Sequence, residues 1–242
     1  MDLQWFVKWF NSPYYHILYQ NRSLTEAEDF IKKITQNLEL HSHAKVLDLA
    51  CGKGRHSITL NKLGFDVLGI DLSEESIKYA KQFENDHLKF EQHDMREVYH
   101  HNEFDAVFNL FTSFGYFENY DDNFKVLEAV KQQLKEHGTF VLDYLNAEKV
   151  VSTMIPYEEK TIDGIVFKIT KSIENGFIKK EIDFEDKGET YHFEEYVRLM
   201  YFNDFKEIYE KEGFVLDKAF GNYNLDDFNE KDSDRLILVL KK

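Results

Sequence analysis

The stretch "KVLDLACGKGRH", residues 45–56, begins as a buried strand and ends as the opening of a helix. Between the two lie a carboxylate, Asp48, and two glycines, Gly52 and Gly54, one residue apart. Glycine lets a ligand approach backbone N–H groups, and a helix N-terminus favours negative charge, so this unit is a ligand cradle as well as a tight turn. A dinucleotide fingerprint needs a third glycine, but Arg55, His56 and Ser57 follow Gly54. A phosphate loop is excluded because no Gly-Lys-Ser/Thr is present here. The acid inside the strand would repel a pyrophosphate and suits a ligand bearing an ammonium group.

Outward from the turn, short apolar runs alternate with helical patterns. The runs are "AKVLDLA" (44–50), "FDVLGID" (65–71), "LKFEQHD" (88–94), "FDAVFNLF" (104–111) and "GTFVLDYL" (138–145). Between them, "SEESIKYAKQF" (73–83) and "NFKVLEAVKQQLKEHG" (123–138) read as helices, with Ser73 as an N-cap and Gly138 as a stop. Upstream, Ala27, Phe30, Ile31, Ile34 and Leu38 share one helical face. Strand alternating with helix predicts a parallel sheet covered on both faces.

From about residue 157 the pattern changes. The segment 161–202 alternates polar and apolar residues, and its "ENG" (174–176) and "DKG" (186–188) read as hairpin turns. Helix returns in "NDFKEIYEKEGF" (203–214), then strands in "FVLDKAF" (214–220) and "DRLILVLKK" (234–242). The block 157–202 is therefore expected to be an antiparallel insertion. One α/β domain, residues 1–156 and 203–242 with a helical cap over about 1–40, surrounds it.

The 242 residues suffice for a proper core, and the formal net charge of −15 disfavours nucleic acid as a partner. The 14 Tyr and 22 Phe can line a pocket as well as fill a core. Cys51 is the only cysteine, so no intrachain disulfide forms; in the turn it reads as a small packing residue. No run approaches the about 18 apolar residues of a membrane span, and the N-terminus has no signal-peptide pattern. A soluble, cytoplasmic protein without membrane partners is the expectation.

S-adenosylmethionine (SAM) joins an amino acid, a sulfonium, a ribose and an adenine without a phosphate. The run Asp48-Leu49-Ala50-Cys51-Gly52-Lys53-Gly54 resembles motif I of the class I SAM-dependent methyltransferases, with Ala50 at the family's usual first glycine. Asp71 ends the second strand, where a carboxylate can accept from both ribose hydroxyls. In "QHDMRE" (92–97) the resemblance implies that Asp94 accepts from the adenine amino group and that the Met95 N–H reaches a ring nitrogen. It implies a Rossmann-like, seven-stranded, mostly parallel sheet. Asp48, Ala50, Cys51, Gly52, Gly54, Asp71, Leu72, Asp94 and Met95 are the expected cofactor set, with Asn109, Leu110 and Phe111 beside the methionine portion. Phe114, Tyr116 and Phe117 are expected beside the acceptor. No Pro-Pro-aromatic follows Asn109, as it would in nucleic-acid amino-methylating enzymes, so a small-molecule acceptor methylated at N or O is the expectation.

In similar enzymes an N-terminal helix folds over the cofactor, which makes Tyr14, Tyr19 and Arg22 candidates for it and Tyr15 for the acceptor. The insertion is expected to roof the acceptor pocket with Tyr191, His192, Arg198 or Tyr201; a dimer interface is the alternative. Candidate bases are His16, Tyr116 and His192. No metal is expected, since His41/His43 and His100/His101 lack ligand companions at a sensible spacing. Two other functions fit the same cradle less well: a non-catalytic SAM-binding regulatory or scaffold protein, and an NAD(P)-dependent oxidoreductase. The acceptor's identity and the oligomeric state stay open.

Overall fold

The computed structural model describes residues 5–19 and 24–242. Three helices lead in: α1 (Trp5–Phe10), α2 (Pro13–Leu18) and α3 (Leu24–Asn37). Then β1 (Lys45–Leu49), α4 (Arg55–Lys62), β2 (Asp66–Asp71), α5 (Glu74–Ala80), β3 (Leu88–Gln92) and β4 (Phe104–Asn109) alternate. They are followed by α6 (Asp122–Gln133), β5 (Leu134–Leu145) and α7 (Ala147–Thr153). The insertion contributes β6 (Tyr157–Ile162), β7 (Ile165–Glu174), β8 (Phe177–Asp186) and β9 (Glu189–Arg198). The chain ends with α8 (Phe202–Lys211), β10 (Val215–Phe220) and β11 (Arg235–Lys241).

The large sheet runs β10-β11-β5-β4-β1-β2-β3, parallel except for β11, which is antiparallel to both β5 and β10. From β1 the chain winds outward through β2 and β3, then crosses back to β4 on the other side. This reversal opens a crevice at the strands' C-terminal ends, where open α/β sheets hold ligands. The strands are continuous apolar runs because both faces are covered. Leu47, Val107, Phe140 and Leu142 pack with Val126, Val130, Phe205 and Ile208 of α6 and α8. Val46, Val67, Phe90 and Phe108 pack with Phe30, Ile34, Leu60 and Ile77 of α3, α4 and α5.

Two boundaries depart from expectation. α6 stops at Gln133, and Gly138 lies inside β5 rather than ending a helix. Leu134 pairs with Phe104 in the β4–β5 ladder, with a register shift before Ala106. The apolar spacing that suggested one more helical turn serves equally for a buried strand entry. The unanticipated α7 buries only Ala147, so it carries no apolar stripe to announce it.

The insertion is a separate four-stranded antiparallel sheet, β6-β7-β8-β9. Its hairpins turn through Asp163-Gly164, Asn175-Gly176 and Lys187-Gly188, each pair left-handed, as type I′ turns require. The sheet's apolar face does not stand free. Ile165, Phe167, Ile169, Ile182 and Phe184 form one cluster with Trp5, Trp9 and Leu18 of α1 and α2. No described helix is long and apolar enough to cross a membrane.

Candidate active site

The turn after β1 is left-handed at Ala50, Gly52 and Gly54 (φ +57°, +56° and +83°). The two glycines have different physical reasons. A Cβ on Gly54, the N-cap of α4, would lie 2.6 Å from the Phe90 ring. A Cβ on Gly52 would meet nothing within 4 Å, so this glycine leaves bare backbone facing open space. Asp71, at the end of β2, pins the turn: one carboxylate oxygen accepts the Gly52 amide at 2.8 Å and the other the Ser73 amide at 2.8 Å. Burial raises the Asp71 pKa, and those two amides offset part of the rise.

A cavity of about 1110 Å³ opens over this turn. Its floor is Ala50, Cys51, Gly52, Asp71 and Leu72, continued by Asp94, Met95, Leu110 and Phe111 from the ends of β3 and β4. Its cover is Trp5, Phe6 and Phe10 of α1 with Tyr15, His16 and Tyr19. Tyr116 and Phe117 close a third side, with the Tyr116 ring 5.6 Å from Trp5 and 5.5 Å from Phe10. Burial, helped by the Lys53 charge, brings the His16 pKa down to about 4, so its imidazole is neutral. Asp94 is clasped by Arg96, whose Nη2 lies 2.6 Å from it while Nη1 reaches Asp122 at 2.7 Å. Burial alone would raise the Asp94 pKa; the Arg96 hydrogen bonds and charge outweigh it and hold the carboxylate below its usual range.

Other expected site residues lie elsewhere. Asp48 is buried behind the turn and off the cavity surface, accepting the Ser57 hydroxyl at 2.6 Å. Burial pushes its pKa up to about 7, Ser57 opposing. Asn109 is also fully buried, its amide donating to the Leu49 carbonyl and so tying β4 to β1. Phe114 packs in the core against Phe205. Tyr14 is absent from the cavity wall, packs at a tilt against Phe184 and Tyr191 and donates to Asp186 at 2.8 Å. Arg22 lies outside the described residues.

The insertion contributes none of its four expected residues to the cavity wall. Tyr191 packs on Phe184, His192 is exposed beside Asp183, and Tyr201 is the N-cap residue of α8. Arg198 instead braces the wall from behind, stacking over Phe177 at 4.3 Å and donating to the carbonyls of Phe117 and Glu118. The helices α1 and α2 are the roof, because they occupy the sheet's apolar face. Glu195 fastens them there, accepting from the Trp9 indole (2.9 Å), the Tyr19 hydroxyl (2.8 Å) and Lys180 (2.6 Å). Burial opposes ionisation of Glu195, yet Lys180 and these donors keep its pKa low.

Sequence reasoning missed Trp5, Phe6, Phe10, Lys53, Arg55, His56 and Arg96 on the cavity wall. The Trp5/Trp9 and Phe6/Phe10 spacing in "WFVKWF" was the available signal. His43 also has companions the spacing did not suggest, Asp66 and His87, at the opposite end of the sheet.

The profile of the family described as "Methyltransferase domain" matches residues 40–211. A putative methyltransferase, YqeM, of Bacillus subtilis (strain 168) is 30% identical over 213 residues, 84% of this chain and 86% of that protein. A glycine/sarcosine N-methyltransferase of Aphanothece halophytica is 33% identical over 174 residues, 69% of this chain and 60% of that protein. The structure of a S-adenosylmethionine-dependent methyltransferase from Clostridium acetobutylicum ATCC 824 superposes with a TM-score of 0.79 at 20% identity, covering 94% of this chain and 95% of that one.

Proposed function

We propose that this chain, which belongs to the methyltransferase-domain family, is a SAM-dependent enzyme that methylates the nitrogen of a small-molecule amine. The cradle fits the cofactor: Gly52 offers bare backbone where a Cβ would project into open space. The Asp71 lone pairs not engaged by Gly52 and Ser73 accept the ribose hydroxyls. Asp94, oriented by Arg96, accepts from the adenine amino group, and Met95 and Leu110 flank the ring and the methionine chain.

Bound SAM supplies a methyl group already activated on a sulfonium. The protein's tasks are alignment, exclusion of water and management of charge. N-methylation moves a positive charge from sulfur to nitrogen. The rings of Trp5, Phe10, Tyr15 and Tyr116 line the cavity, and an aromatic face turned to the reacting centre would stabilise a cation throughout the transfer by about 0.5–2 kcal/mol. His16 is a poor base at a pKa of about 4, but its neutral imidazole can accept an amine N–H and aim the nitrogen lone pair. A hydroxyl acceptor would need a far stronger base. The single observation that carries the reading is this uncharged His16 on the cavity wall, its ring 5.3 Å from that of Tyr15. The name of the glycine/sarcosine N-methyltransferase relative supports nitrogen as the acceptor atom.

The test is a panel of small amines and their hydroxyl isosteres incubated with methyl-labelled SAM, with products located by mass spectrometry. N-methylated product from at least one amine is expected. Label found only on the hydroxyl compounds would overturn the reading.

A further inference from the structure

Phe111 and Thr112, just beyond β4, are both left-handed, with φ of +59° and +61°. Neither is glycine, and side-chain-bearing residues disfavour this region. One residue meets both of their amides. Asp143, on β5, accepts the Phe111 N–H through Oδ2 at 2.8 Å and the Thr112 N–H through its own carbonyl at 3.0 Å. The Asp143 side chain is wholly buried and is held by Arg235 of β11, whose Nε donates to Oδ1 at 2.8 Å. Arg235 reaches on through Nη2 to the Thr112 hydroxyl at 2.9 Å. The Tyr223 hydroxyl completes the set at 3.2 Å from Oδ2.

We infer that Asp143 and Arg235 are positioning residues that hold Phe111 and Thr112 in the left-handed conformation and thereby preset one wall of the SAM cavity. Leu110, Phe111 and Ser113 line that cavity. The Phe111 ring lies between His56 (4.8 Å) and Tyr223 (5.1 Å), with the Arg55 guanidinium 4.7 Å from its centre. Arg55 and His56 follow the glycine turn directly, so a shift of Phe111 would be felt in the cradle. A buried ion pair is often replaceable by apolar groups without loss of stability. Sheet stability alone therefore does not account for a pair whose remaining side-chain bonds all go to this loop or to the ring stacked on it. The inference rests on the SAM assignment and is independent of which atom is methylated.

The test uses the full chain and calorimetric binding of S-adenosylhomocysteine (SAH), the demethylated cofactor, with thermal melting alongside. Asp143→Ala/Arg235→Met removes both charges together, so no lone buried ion remains. It should weaken SAH at least fivefold. Adding Thr112→Gly to that variant should then tighten SAH at least twofold, because glycine adopts positive φ without a side-chain penalty. In the parent background Thr112→Gly should not tighten SAH. A loss below fivefold in the double variant, or no recovery on adding Thr112→Gly, would reduce the pair to a structural ion pair. Should the double variant not fold, Asp143→Asn with and without Thr112→Gly is read by the same recovery criterion. A parent chain that does not bind SAH would contradict the SAM assignment itself, a result distinct from losses confined to the variants.

Discussion

The Trp9 indole donates to the Glu195 carboxylate at 2.9 Å, joining the first helix to the last strand of the inserted sheet across 186 residues of sequence. The same carboxylate receives Tyr19, whose ring lines the cavity, and Lys180. The cavity cover and the insertion are thus one packed unit, and what reaches the cavity from it is the helical side.

Glu195→Leu should loosen that unit. It leaves the buried Trp9 N–H without its acceptor and removes the carboxylate partner of the half-buried Lys180, which keeps only the Tyr19 hydroxyl, a loss of about 1–3 kcal/mol. Amide exchange should accelerate across residues 5–18 while β1 and β4 keep their protection. Unchanged exchange in α1 and α2 would show that the apolar cluster alone holds the cover.

Asp71→Ala should remove the pins on the glycine turn and, with them, the proposed ribose acceptors. We expect SAH affinity to fall by about 2–4 kcal/mol, measured by calorimetry. Parent-like affinity would place the ribose elsewhere.

Gly52→Ala and Gly54→Ala should fail in different ways. The Gly54 methyl collides with Phe90, so the melting temperature should fall with about 2–4 kcal/mol of stability. The Gly52 methyl meets no protein atom, so its variant should melt closer to the parent yet bind SAH poorly. Equal losses of stability would refute the distinction between a packing glycine and a binding one.

Asp48→Asn should show a pH-dependent gain. The Asp48 pKa is raised to about 7 in the fold, against about 3.9 in an unfolded chain. Its contribution is present below the unfolded value and is lost as pH rises through the folded one. Asparagine keeps a neutral partner for Ser57 and titrates nowhere. The stability of Asp48→Asn relative to the parent should therefore climb between about pH 4 and 7, by up to about 4 kcal/mol, and level off above. A flat difference from denaturant melts across that range would mean that Asp48 ionises normally.

The alternating α/β order, the glycine turn and the acids at the ends of the second and third strands were legible in the sequence. Each is a local property: apolar periodicity, positive-φ turn chemistry and a carboxylate at a strand end all act within a few residues. The insertion was legible as a sheet for the same reason, through its period of two and its Gly-containing turns. Its partner was not. Alternation says that one face of β7 and β8 is buried but not against what, and "WFVKWF" is apolar at every position but Lys8, so nothing local pairs the two. Asp48 and Asp71 look equivalent as strand acids, yet one is sealed under α4 and the other faces the cavity. The same limit hid Arg198 behind the loop it braces and Asp143 beneath the two residues it holds. Short-range geometry and turn chemistry are written along the chain; burial, ion pairing and the choice of which surface covers a cavity arise only when distant segments meet, and the tertiary structure decided them.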